Sequence, residues 1–196
     1  MRLKKILSPK TEFEARFIPD YKELDRTTKN LKKQGKQIVL TQGVYDLIHE
    51  GHALYLEQAR QLGDILIVGV DSDELTRRRK GPDRPIVPQK ERLKMLVHLR
   101  HVDIVTIREA NHGIGDLIRL VRPDVLVVSK STSDFTDEMV NEYQNVCGKI
   151  ISLPPQATTT TTGRIRVLTM EGVNRLSQEI SKLTKKFVEE IKQGRS

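Results

Sequence analysis

IVLTQGVYDLIHEGHALYLEQARQLGDILIVGVDSD, residues 38–73, sets two continuous apolar runs on either side of a polar turn and an amphipathic segment. The runs "QIVLTQG" (37–43) and "DILIVGVD" (64–71) do not alternate apolar with polar residues, so each predicts a strand buried on both faces. Between them "HALYLEQARQL" repeats its apolar positions at helical spacing and predicts a helix. Strand, helix and strand in that order make a parallel crossover unit. The turn from the first strand into the helix carries His49 and His52 around Gly51.

The same alternation continues along the chain. Further strands are predicted at "VDIVTI" (102–107), "DVLVVS" (124–129) and "KIISLP" (149–154), with helices in "PQKERLKMLVHL", "GIGDLIRLV" and "FTDEMVNEYQNV". The fold class is therefore α/β: a Rossmann-like, doubly wound parallel sheet of about five strands. Residues 1–35 form a polar, lysine-rich extension, with a helix in "DYKELDRTTKNLKKQG" that ends at Gly35 and covers the first strand. Residues 36–168 form the α/β domain, and 169–196 a long amphipathic helix. Val173, Leu176, Ile180, Leu183 and Phe187 step by three and four, which draws one apolar stripe on that helix. The stripe either packs back onto the sheet or pairs with a second copy in a homodimer.

A chain of 196 residues suits one domain of ordinary size. The single cysteine, Cys147, leaves no internal disulfide and no cysteine metal cluster, which suits a reducing cytoplasm. The N-terminal "MRLKKILSPKTEFEARF" lacks a sustained apolar core, and nowhere do eighteen apolar residues run together, so a soluble cytoplasmic protein without a membrane partner is expected. The 34 Lys and Arg exceed the 26 Asp and Glu, a formal charge of +8 that favours anionic partners. With four Tyr, four Phe and no Trp there are few stacking aromatics, which points to small phosphorylated substrates and not to nucleic acid.

In an open parallel sheet, ligands gather at the carboxyl ends of the strands. "TQGVYDLIHEGH" lies there. Gly43 permits a tight turn and exposes backbone N–H groups, and the helix starting near Gly51 offers the positive end of its dipole to an anion. Histidines three apart point the same way on a first helical turn, and a glycine between them lets a phosphate or a nucleobase approach the backbone. Such imidazole donors would stabilise charge growing on a phosphorus centre, each worth roughly 2.7–4 kcal/mol. A zinc protease needs its two histidines four apart, so that chemistry does not fit. Two structural histidines with satisfied hydrogen bonds are the plain alternative.

The stretch "TQGVYDLIHEGH" resembles the first signature of the cytidylyltransferase-like nucleotidyltransferases, a Gly-x-Phe-Asp turn followed by His-x-Gly-His. Tyr45 replaces the phenylalanine, and Asp46, His49, Gly51 and His52 fall on the pattern. The second region, "VDSDELTRRRKGPDRPIVPQKERLKMLVHLRHVDIVTI" (70–107), is similar to the branch that adenylylates heptose 1-phosphate, with its Lys-Gly-Pro-x-Arg-Pro loop and an early arginine in the next helix. Arg77, Arg78 and Arg79 read as a solvated loop. In "QATTTTTGRIRVL" (156–168), Ala157, Thr158 and Thr159 align with the family's Ser-Thr-Thr and Arg164 with its basic residue; a register using Thr160–Thr162 stays open. The family's Lys-Gly-Gly-Asp-Tyr becomes "VVSKSTSDFTDE" (127–138), where Ser129, Lys130 and Asp134 supply polar groups. Class I aminoacyl-tRNA synthetases carry a related histidine motif, but a chain of this length has no room for their tRNA-binding domains.

The resemblance implies nucleotidyl transfer from a nucleoside triphosphate, ATP favoured, to a small phosphorylated sugar, with Mg²⁺ as cofactor. It implies catalytic roles for His49, His52, Lys80 and Arg92, the last two on the substrate phosphate, and an orienting role for Asp46. It places nucleotide contacts at Thr41, Gly43, Val44, Tyr45, Gly51, His52, Ser129, Lys130, Thr158, Thr159 and Arg164. No protein cage for the metal is expected. The alternatives are a cytidylyltransferase for a glycerol- or ribitol-type polyol phosphate, an FAD-synthase-like adenylyltransferase, and a silent nucleotide-binding module.

Overall fold

A computed structural model of the chain describes residues 12–130, 136–157 and 161–193. Five parallel strands, β1 (Ile38–Gly43), β2 (Ile65–Asp71), β3 (Ile104–Arg108), β4 (Val125–Ser129) and β5 (Lys149–Leu153), lie in the order β3-β2-β1-β4-β5. All five stand where the apolar runs predict them. β1 is central, paired with β2 from Ile38↔Ile65 to Gly43↔Val70 and with β4 from Val39↔Val125 to Thr41↔Val127. The strand order reverses between β1 and β4, the place in an open parallel sheet where ligands bind at the carboxyl ends of the strands.

Side chains alternate across the sheet, so each strand feeds two cores. Ile38, Leu40, Ile65, Ile67, Ile104 and Leu126 pack on one face, and Val39, Leu66, Val68, Val105 and Val127 on the other. The second face is covered by α3 (Glu50–Arg60) through Leu56 and Ala59, and by α5 (Gln89–His98) through Leu93, Leu96 and Val97. The first is covered by α6 (Asp116–Val121) and by α2 (Tyr21–Lys33). Helix α2 matches the expected N-terminal helix and is capped by Asp20, whose carboxylate accepts from the Glu23 amide at 2.7 Å.

Two features were not foreseen. A short α1 (Phe13–Arg16) precedes α2, and the Ile18 amide then donates to Val105 O at 2.9 Å, so the N-terminal segment borders β3. Ile18, Leu24 and Leu31 are fully buried, which makes these residues part of the core. The second is α4 (Asp73–Lys80), where a solvated loop is expected from the arginines. Ser72 caps it by accepting from the Leu75 amide at 3.1 Å, Asp73 and Glu74 fill its first turn, and Arg77–Lys80 fill its last. Acids first and bases last complement the helix dipole, which relieves the crowding of four cations.

α7 (Asp137–Tyr143) precedes β5, and α8 (Thr161–Gln193) follows it. The chain divides into two compact units, Met1–Thr158 and Thr159–Ser196. α8 begins inside the threonine run and passes through Gly163, earlier than composition suggests. Among the described residues no helix is long and apolar enough to cross a membrane.

Candidate active site

β1 delivers the chain to the carboxyl edge of the sheet, and the turn after it is strained. Tyr45 and Leu47 both adopt left-handed backbone, at φ 55° and 46°, a conformation that costs an L-residue roughly 1–2 kcal/mol. Two buried groups offset that cost. The Tyr45 ring lies over Gly43, where an added Cβ would sit 3.2 Å from it. Gly43 thus makes room for a ring. Asp46, 2% exposed, accepts from the Ile86 and Val87 amides at 2.9 Å each and from Arg84 Nε at 2.8 Å. The orienting carboxylate therefore fastens the histidine turn to the loop that follows Lys80.

His49 is the N-cap of α3, with extended backbone at φ −141°. Its Nδ1 accepts from the Gly51 amide at 3.1 Å, and His52 Nδ1 accepts from the His49 amide at 3.3 Å. The two imidazoles replace the side-chain oxygens that commonly fill a reciprocal cap. With Nδ1 accepting, a neutral ring carries its hydrogen on Nε2. The ring centroids are 4.1 Å apart at a 40° tilt, so both rings sit together at the helix start. Burial, then His49, then the Lys80 ammonium push the His52 pKa down to about 4, against a raising effect from Asp46.

A lowered histidine pKa has a consequence for stability. The unfolded chain takes up this proton near pH 6.5 and the folded chain only near pH 4. Stability from this group is present above pH 6.5 and falls as pH drops toward 4, by at most about 1.4 kcal/mol per pH unit. Urea titrations between pH 7.5 and 4.5 should show that slope in the parent and a shallower one in His52→Gln. Equal slopes would assign the proton uptake elsewhere.

Gly51 has a packing role besides the approach of a ligand expected there. A Cβ on Gly51 would lie 2.7 Å from Ala157 Cβ and 3.0 Å from the His49 ring. The glycine admits Ala157 against the start of α3. Gln58 Nε2 donates to Gln156 Oε1 at 2.5 Å, fixing the same segment along the helix. Ala157 is thus brought to the histidine pair. Thr158 and Thr159 lie outside the described residues, as does Asp134.

Lys80 is exposed at the end of α4 and near enough to His52 to act on its charge. Gly81 follows with φ +96°, a backbone that glycine adopts freely. Arg92 differs from its expected place on a phosphate. It is 1% exposed; its Nε donates to Val87 O at 2.9 Å, one terminal nitrogen donates to Val44 O, and the other to Asp73 Oδ1 at 2.7 Å. The guanidinium braces the histidine turn against the 81–87 loop from within.

Several supporting groups went unseen in the sequence. Asp73 Oδ1 accepts from the Gln89 amide and Gln89 Oε1 from the Asp73 amide, each at 2.8 Å, so the starts of α4 and α5 cap one another. At the end of β2 the fully buried Asp71 accepts from Arg79 and, at 2.8 Å, from Arg108. The Ser72-Asp73-Glu74 run before a basic turn and Gly81 was the available signal for α4. Nothing local signals Arg108, which meets Asp71 only through strand pairing.

Of the remaining expected nucleotide contacts, Thr41 is fully buried and its hydroxyl lies 2.8 Å from Tyr55 OH, which donates to Val127 O at 3.2 Å. Val44 is buried and its carbonyl is held by Arg92. Ser129 and Lys130 stand at the end of β4, across the switch point from β1. Arg164 is exposed on α8, in the second unit.

A family model described as cytidylyltransferase-like matches residues 40–177, from β1 into α8. The chain belongs to the cytidylyltransferase-like family. Its match to the bifunctional protein HldE of a Nitratiruptor species is 49% identical over 111 residues, 57% of this chain and 24% of that protein. Its match to the HldE of Desulfatibacillum aliphaticivorans is 40% identical over 144 residues, 72% of this chain and 29% of that protein. The cytidylyltransferase-like chain thus spans about a quarter of the length of these curated relatives. Among solved structures it is similar to a lipopolysaccharide core biosynthesis protein of Thermoplasma volcanium, at 26% identity and TM-score 0.56, covering 63% of this chain and all of that one. A pantoate-beta-alanine ligase of Francisella tularensis, at 15% identity, TM-score 0.53 and coverage of 72% of this chain and 67% of that one, shares the fold.

Proposed function

We propose that the chain transfers a nucleoside monophosphate, AMP in preference to CMP, from a nucleoside triphosphate to a sugar phosphate of the heptose 1-phosphate type. An acceptor phosphate oxygen forms a bond to the α-phosphorus, the bond from that phosphorus to the bridging oxygen breaks, and pyrophosphate leaves. The observation that carries this is the pair of Nδ1-anchored imidazoles at the start of α3. Two oriented Nε2 donors and a helix dipole suit an α-phosphate on which charge accumulates. The reaction needs positioning and charge neutralisation more than covalent help. The HldE relatives support a heptose phosphate acceptor and ATP as donor.

In this reading His49 and His52 hold α-phosphate oxygens and Lys80 holds the acceptor phosphate. Arg92 acts through the Val44 and Val87 carbonyls as a positioning residue. Ser129 and Lys130 face the nucleotide, and Thr158, Thr159 and Arg164 the pyrophosphate. Mg²⁺ neutralises the triphosphate. Both Asp46 oxygens are taken up by Arg84, Ile86 and Val87, and the ion would be held mostly through phosphate oxygens and water. We place this chemistry in the cytoplasm, where nucleoside triphosphates are abundant, in a homodimer joined through α8.

Pyrophosphate release measured with ATP and CTP across heptose, glycerol and ribitol phosphates tests the proposal. Turnover confined to ATP with a heptose phosphate supports it, and release with CTP and a polyol phosphate replaces it. Lys80→Ala should raise the acceptor KM about tenfold or more, since one charge-assisted contact is worth roughly 1.5–3 kcal/mol, with Tm unchanged because the side chain is exposed. A changed Tm with unchanged KM would make Lys80 structural.

A further inference from the structure

The α8 seam is unusual in what it leaves in water. Val173, Ile180 and Phe187 recur every seven residues, with Leu176 and Leu183 three positions after the first two, and all five are 54–66% exposed. A seven-residue apolar repeat on a helix makes a continuous seam, here about 21 Å from Val173 to Phe187 at ~1.5 Å per residue. We propose that this seam pairs with the α8 of a second copy as an antiparallel two-stranded coiled coil centred between Ser181 and Lys182.

The charge and size pattern selects both the partner and its direction. Centred there, Ile180 opposes Leu183 of the second copy and Leu176 opposes Phe187, each twice by symmetry, so a large side chain always meets a complementary one. On one flank Glu179 meets Lys186 of the second copy, again twice, and on the other Ser177 meets Thr184. Glu190, which continues the Leu176–Leu183 row, falls opposite Val173 at the open end of the seam. A parallel in-register pair would set Glu190 against its own copy in the seam and Glu179 against Thr184, losing both opposite-charge contacts. Glu179 now pairs with Lys182 at 2.8 Å and Lys186 with Glu190 at 3.8 Å, all on exposed side chains, so exchanging partners costs little. Ten seam side chains and their flanks remove on the order of 1,000–1,300 Å² from water, near the lower bound of roughly 1,200 Å² for a specific interface. We expect dissociation in the micromolar range, the weak end of the span that interfaces of this size cover.

Sedimentation equilibrium of the full chain tests this directly. The parent should dimerise, and Leu183→Glu should raise the dissociation constant by at least about tenfold, while far-UV circular dichroism and the unfolding midpoint, compared at concentrations below the parent's dissociation constant, stay unchanged. Glu179→Lys and Lys186→Glu should each weaken self-association roughly threefold to tenfold, and mixing the two variants should restore parent affinity, because each then meets the opposite charge. A chain that stays monomeric to about 100 µM, or that leaves solution for anionic vesicles instead of pairing, overturns the proposal. Dimers indifferent to Leu183→Glu also overturn it. Charge variants without effect, singly or mixed, overturn the antiparallel arrangement.

Discussion

His52→Ala lowers turnover by a hundredfold or more and leaves the protein folded. The ring supplies two things that separate cleanly. Its Nδ1 accepts from the His49 amide at 3.3 Å, a long bond at a helix start, whose loss costs about 0.5–1 kcal/mol. Its Nε2 hydrogen is a donor whose direction that bond fixes, and a preorganised donor to a transition-state oxygen is worth roughly 2.7–4 kcal/mol. The effect therefore falls on kcat, measured as pyrophosphate release at saturating ATP and acceptor, with the urea midpoint nearly unmoved. Because His52 is already neutral near pH 7, with its pKa lowered to about 4, the activity loss should be the same from pH 6.5 to 8. Parent-like turnover in the variant would leave the two rings as a helix cap and nothing more.

Asp46→Ala destabilises the fold by about 3–5 kcal/mol, the usual loss when one partner of a buried charge pair is removed. The carboxylate is 2% exposed and accepts from three donors, so its removal strands Arg84, 15% exposed at its side chain, and two backbone amides. Asp46→Asn keeps an acceptor in the same space and should lose less than half as much. Urea denaturation at pH 7.5 measures both. Any residual activity in Asp46→Asn should show a raised acceptor KM, since the carboxylate fastens the loop after Lys80 to the histidine turn. A loss below about 1 kcal/mol in the alanine variant would contradict the geometry.

The strands were legible because burial on both faces writes itself as uninterrupted β-branched runs, and each observed strand lies within two residues of its run. The histidine pair was legible because glycine, histidine and helix start fall within a few neighbouring residues. Arg92 shows where sequence stops: an arginine in a first helical turn looks the same whether it meets a phosphate or a carbonyl. Val44 O and Val87 O come to it only through folding, and both are backbone atoms that no residue pattern encodes. Helix α4 failed for another reason. Three arginines suggested solvent, while the Ser72 cap and the acidic first turn, weaker signals in composition, decided the conformation.

The seating of Ala157 in the notch left by Gly51 reaches beyond local packing. It acts as an index stop for everything downstream: the distance along the backbone from the end of β5 at Leu153 to this point is fixed, so an inserted or deleted residue between them would shift which threonine comes next. Length changes between Leu153 and Ala157 should be poorly tolerated. A bulkier group at 51 would demand a simultaneous retreat at 157, two positions a hundred residues apart that must therefore change together.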